Sequence, residues 1–95
     1  MSHYIIQLSD IITKVSNIAT AEIDGELVMM NLNSNAYYGL DDIGSEIWGL
    51  LETPLTVSQL CQTLADMFDV GEKTLQEDVR SFLSSLLKEK MIELK

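Results

Sequence analysis

The stretch that most constrains this chain runs from Ala21 to Leu51, AEIDGELVMMNLNSNAYYGLDDIGSEIWGLL. Asp24-Gly25 is a two-residue hairpin signal, because a type I′ turn needs positive φ at both central positions. Ile18 to Ile23 lies on one side of that turn and Glu26 to Leu32 on the other. In the second run Leu27, Met29 and Asn31 share one face, and Val28, Met30 and Leu32 the other, because side chains alternate along a strand. Asn33-Ser34-Asn35 reads as a second turn, since Asn tolerates left-handed backbone and these side chains bond locally. A short aromatic strand follows, Ala36 to Leu40. Asp41 or Asp42 then caps a helix, and Glu46 falls where a carboxylate suits the helix dipole. Ile43, Ile47, Leu50 and Leu51 form its apolar stripe, with Trp48 at the edge. The stretch predicts a three-stranded antiparallel meander that runs straight into an amphipathic helix.

Two more helices follow. Pro54 disfavours helix in the residue before it, which marks Glu52-Thr53-Pro54-Leu55 as a break. Thr56 with Gln59 three residues on has the capping-box pattern. The helix behind it carries Val57, Leu60, Leu64, Met67 and Phe68 as a stripe, with Cys61 beside it. The third helix spans about residues 72–90, where Leu75, Val79, Phe82, Leu83, Leu86 and Leu87 recur at spacings of three and four. Lys88 and Lys90 suit the dipole at its end. Met91 to Lys95 reads as a short extended segment. Ahead of the meander, Tyr4 to Leu8 and Ile11 to Val15 are β-prone around a turn at Ser9-Asp10, so residues 1–17 are read as an N-terminal arm or an extra strand covering part of the core. The order β-β-β-α-α-α is that of an α+β domain, with helices packed on a three-stranded antiparallel sheet. At 95 residues, 1–95 is expected to be a single domain.

Charge narrows the partners. The chain has 15 acids against 6 bases, net −9, and residues 1–60 hold eight of the acids with Lys14 as the one base. Such a surface repels phosphate backbones, so no nucleic acid is expected as a partner. No run approaches the roughly 20 apolar residues that span a bilayer, so no membrane is expected either. One cysteine allows no internal disulfide, in keeping with a cytoplasmic protein.

The side chains for catalysis are missing. His3 is the one histidine and stands at the terminus, a poor place for a general base. Cys61 sits on an apolar helix face, where a thiol is inert. Asp41-Asp42 is explained by the helix cap without a metal. The five glycines show no phosphate-loop spacing. No catalytic residue, metal or cofactor is expected, and the chain reads as a binding module. Its partner-facing features are the strand Ala36 to Leu40, which has no Lys or Pro to blunt a free edge, and the wide apolar stripe from Leu75 to Leu87.

Tyr37-Tyr38-Gly39-Leu40-Asp41-Asp42-Ile43-Gly44-Ser45-Glu46-Ile47-Trp48 resembles the signature of PqqD-like proteins, an aromatic–Leu–Asn/Asp followed by a small residue and an Ile-Trp helix. Leu55 to Leu60 and Asp78 to Leu86 match two later stretches of the same pattern. The resemblance covers roughly residues 18–94. It implies a winged-helix-like recognition element that binds the leader of a ribosomally made precursor peptide as an added strand, between the third strand of the meander and the third helix. Carried onto this sequence, the strand wall is Asn35, Ala36, Tyr37, Tyr38, Gly39 and Leu40. The helix wall is Leu75, Asp78, Val79 and Phe82. Tyr37 or Tyr38, with Val79 and Phe82, would form side-chain pockets, and Asp78 with Glu77 would meet leader lysines. A free-standing chain of this kind is most similar to the leader-binding protein of lasso-peptide pathways. Its further partners would then be a cysteine-protease leader peptidase and a cyclase. The alternatives are a chaperone for a radical-SAM enzyme, as in pyrroloquinoline-quinone biosynthesis, a winged-helix DNA-binding regulator, and a subunit that dimerises through the free strand edge. The mixed charge of the third helix speaks against the DNA reading.

Overall fold

The computed structural model describes residues 6–95. The elements run β1 (Ile11–Lys14), β2 (Ile18–Ile23), β3 (Glu26–Asn31), β4 (Ala36–Leu40), α1 (Asp42–Leu50), β5 (Leu55–Thr56), α2 (Val57–Met67), α3 (Glu72–Lys88) and β6 (Ile92–Leu94). The expected α+β architecture is present, with the meander as β2–β3–β4 and the helices after it. One feature differs. The strands form two three-stranded antiparallel sheets, in the orders β2-β3-β4 and β5-β1-β6.

The second sheet takes in part of the N-terminal segment. Ile11 to Lys14 is an extra strand, and it is the central one, paired with β5 at Ile11↔Thr56 and with β6 at Lys14↔Ile92. The β-prone run from Tyr4 begins outside the described residues. The turn at Ser9-Asp10 is present, closed by Asp10 N donating to the Gln7 carbonyl and Gln7 N to Asp10 Oδ2. The chain crosses between sheets at residues 15–17. Val15 N donates to the Met91 carbonyl in one sheet's margin, and the Asn17 carbonyl accepts from Leu32 N in the other's.

Local signals are met as the chemistry requires. Asp24 and Gly25 have φ of 53° and 83°, the pair of positive values a type I′ turn needs. Asp41 is the cap of α1, its Oδ1 accepting from Gly44 N at 2.7 Å. Thr56 and Gln59 close a full capping box, with bonds of 3.0 and 2.9 Å. The core gathers the inner sides of both sheets and the helix stripes, including Ile12, Met29, Ile47, Leu60, Leu64, Leu83, Leu86 and Ile92. Trp48 is buried rather than marginal, and the Lys14 ammonium lies 4.4 Å from its ring centroid. That ammonium also holds the exposed Glu52 carboxyl below its ordinary range, through a 2.8 Å hydrogen bond and its charge. Met67 departs from the expected stripe of α2 and is 49% exposed, because the helix ends there.

The C-terminus of α3 closes with a Schellman arrangement. Met91 N donates to the Leu86 carbonyl and Lys90 N to the Leu87 carbonyl, with Lys90 at φ 59° where glycine is usual. The left-handed backbone of Lys90 aims its carbonyl at Asn31 Nδ2, 2.9 Å away. Asn31 is the buried polar side chain among the described residues, and its Oδ1 accepts from Asn33 N and Ser34 N. One side chain thus builds the β3–β4 turn and pins it to the end of α3. Replacing Asn31 with Ala leaves these backbone groups unsatisfied, and is expected to cost about 2 kcal/mol in chemical denaturation. Lys90→Gly relieves the left-handed strain and is expected to raise stability by about 0.5–1 kcal/mol in the same assay.

Candidate functional site

β4 pairs with β3 alone among the described residues, so its outer edge carries unpaired backbone groups. Along it, Ala36, Tyr38 and Leu40 turn toward the core, while Tyr37 and Gly39 turn away. Tyr38 reaches α3, its ring meeting Phe82 edge to face at a centroid distance of 5.8 Å. Beside this contact lies a hollow of about 150 Å3, lined by Asp41, Ile43, Gly44, Ile47, Asp78, Val79 and Phe82. It is smaller than the roughly 300 Å3 at which small-molecule pockets begin, and takes one side chain rather than a cofactor. Wider hollows lie elsewhere, between α2 and α3, at the margin of the two sheets, and under the β2–β3 hairpin. No β4 residue lines any of these hollows; the one beside Phe82 is tied to β4 only through the contact of that ring with Tyr38.

The structure sorts the residues singled out in the sequence. Asn35, with φ 60°, closes the turn that launches β4, and its N–H donates to the Asn31 carbonyl at 2.7 Å. Ala36 to Leu40 form the edge strand itself. Of the two tyrosines, Tyr38 belongs with Phe82, and Tyr37 points out of the opposite sheet face at 70% exposure. Phe82 is half-buried and Asp78 exposed, both at the hollow. Val79 is 1% exposed and forms the hollow's floor. Leu75 is buried in the core at 1% and does not line the hollow. A six-position stripe on α3 therefore splits, with Leu75, Val79, Leu83 and Leu86 filling the core and Phe82 and Leu87 left half-buried.

The α1 contribution was missed. Ile43, Gly44 and Ile47 complete the hollow, and the signal for them was the glycine. Gly44 is buried within α1, and a Cβ there would meet Phe82 carbons at 3.3 Å and Asp41 Oδ1 at 3.1 Å. Glycine lets the ring lie against the helix.

The family model of coenzyme PQQ synthesis protein D (PqqD) matches residues 26–92. The chain belongs to the PqqD family. Among solved structures, TbiB1 in complex with the TbiA(beta) leader peptide is 31% identical, with a TM-score of 0.76 over 85% of this chain and 94% of that one. Lasso peptide synthetase B1 complexed with the leader peptide shares the fold at 20% identity, TM-score 0.69, over 86% and 96% of the two chains. No curated protein sequence matches significantly. The matched span takes in β3 and β4 of the meander, all three helices and the hollow beside Phe82, and leaves β2 outside.

The described residues contain no group of three or more His, Cys, Asp or Glu placed to hold a metal ion, and no helix long and apolar enough to cross a membrane. Cys61 is 4% exposed, and burial pushes its thiol above the ordinary value. A raised value means less thiolate at any given pH, and the thiolate is what reacts. Alkylation by iodoacetamide at pH 7.5 is expected to be negligible in the native protein and rapid in denaturant, as read by intact mass.

Proposed function

We propose that this chain is a non-catalytic recognition protein that captures the leader of a ribosomally made precursor peptide in lasso-peptide biosynthesis. The leader adds as a strand to the outer edge of β4, facing α3. The chain then delivers it to a cysteine-protease leader peptidase and a cyclase in the cytoplasm. The observation that carries this reading is the TbiB1 structure, a relative at 31% identity solved with its leader peptide. The free edge of β4 and the hollow beside it support the same mode of binding.

In this reading backbone groups of Asn35 to Leu40 supply register and much of the affinity, as in other strand additions. Tyr38, Val79 and Phe82, joined by Ile43 and Gly44, accept one leader side chain. Asp78 and Asp41 stand at the same hollow, where a basic leader residue would find carboxylates. The family's name keeps a second reading in view, service to an enzyme of coenzyme PQQ synthesis. The lasso assignment is preferred on the likeness to TbiB1.

The test is titration of a fluorescently labelled synthetic leader, followed by anisotropy. Saturable binding is expected, weakened by at least about tenfold in Phe82→Ala, which removes the hollow's aromatic wall. Circular dichroism establishes that the variant is folded. A folded Phe82→Ala protein with unchanged affinity removes the groove from the reading. No saturable binding by the wild type overturns it.

A further inference from the structure

The hollow at the margin of the two sheets measures about 560 Å3, within the roughly 300–1,000 Å3 that ligand sites occupy. Val15 and Leu87 line it, both half-buried, together with the buried Ile92. Leu87 belongs to the apolar stripe of α3 but is not buried with Leu75, Val79, Leu83 and Leu86, and part of its surface is left to this hollow.

Asn31, which also lines the hollow, brings a donor to it. Its Oδ1 accepts from the backbone N–H groups of Asn33 and Ser34, which fixes the orientation of the amide. Nδ2 therefore carries two hydrogens, and one goes to the Lys90 carbonyl at 2.9 Å. Among the described residues the other has no acceptor, in a side chain only 3% exposed. A buried donor without a partner costs free energy that an incoming acceptor recovers. An apolar floor beside such an N–H suits a peptide segment, which brings a side chain and a carbonyl together.

Charge narrows the side chain. The hollows between α2 and α3, under the β2–β3 hairpin and beside Phe82 are lined by acids and by no base. This one sets Lys90 against Glu93, both exposed, so it favours neither sign and fits an uncharged apolar side chain. Position supplies the peptide. Asn35 opens the strand wall of the leader groove, and its neighbours Ser34 and Asn33 line the hollow. A leader paired with β4 that runs on past Ala36 comes to this rim within about two residues of its own length.

We propose that the hollow between the β3–β4 turn and the end of α3 is a second leader site, which takes one apolar leader side chain and offers Asn31 Nδ2 to the peptide backbone. It rests on the leader-binding reading above. The strand wall from Asn35 to Leu40 lies between this hollow and the one beside Phe82, which sets the two anchoring leader side chains about six residues apart.

Labelled leader of the pathway, whole and shortened stepwise from each end, is titrated against wild type, Leu87→Ala and Asn33→Trp. Leu87→Ala takes away the apolar wall, and Asn33→Trp fills the hollow from an exposed turn position. Both variants are expected to bind whole leader at least about fivefold more weakly than wild type. Shortening from one end lowers wild-type affinity by a similar factor, and the shortened leader binds all three proteins alike. That equality also establishes that the variants are folded with an intact groove. Whole leader bound equally by all three proteins overturns the second site. A loss that persists undiminished in every shortened leader that still binds overturns it too, because the substitutions then act through the fold. No saturable binding of whole leader by the wild type overturns the leader-binding reading, and this site with it.

Discussion

The hydrogen bond from Asn31 to the Lys90 carbonyl is the constraint on which the candidate groove depends. The two walls of that groove belong to different parts of the chain, β4 from the meander and α3 from the helical half. Three contacts fix their separation. Asn31 ties the launch of β4 to the end of α3, Tyr38 meets Phe82 in the middle, and Gly44 lets Phe82 lie against α1 at the far end. The first is the costly one, since a buried amide and a left-handed lysine are both spent on it. A strand edge that drifted relative to α3 would still offer backbone groups, but it would lose the hollow beside them.

β4 serves three directions with five residues. Inward, Leu40 and Tyr38 anchor it to the core and to Phe82. Sideways, its outer edge is unpaired among the described residues. Outward, Tyr37 stands exposed on a face that does not join the core formed by the described residues. Alternation makes this possible, because successive residues of a strand face opposite sides while the backbone presents a third. Gly39 contributes by having no side chain on the outer face, where a Cβ would meet nothing within 4 Å.

The parts of the fold that were legible in the sequence are those with local causes. The Asp24-Gly25 turn, the Asp41 cap and the Thr56–Gln59 box each rest on a few adjacent residues, and each forms as the side-chain chemistry dictates. The second sheet was not legible. β5 has two residues and β6 three, too few to show a period, and their partner β1 lies some 40 and 80 positions away. The role of Asn31 was hidden for the same reason, because its partner is 59 residues distant. The edge position of β4 was readable from the chain order, while the limit of the core along α3 was not. Periodicity identifies an apolar stripe but not where the core stops along it, so Leu75 and Phe82 looked equivalent until the packing separated them.

The division of labour within the groove follows from its dimensions. An added strand makes most of its bonds through the backbone, and those bonds are blind to sequence. In the proposed binding mode, discrimination between leaders would come from the hollow, which at about 150 Å3 admits a single side chain. Its floor is Val79 and Ile47, its wall the Phe82 ring, and its polar atoms the carboxylates of Asp41 and Asp78. Asp41 is already committed through Oδ1 to capping α1. The helix start and the hollow are therefore one structure, and a change in the hollow at Gly44 or Asp41 also alters the helix. Phe82 is committed as well, to Tyr38 and to α1 at Gly44, which leaves the exposed Asp78 as the hollow residue where, in the proposed binding mode, leader preference varies at least cost to the fold.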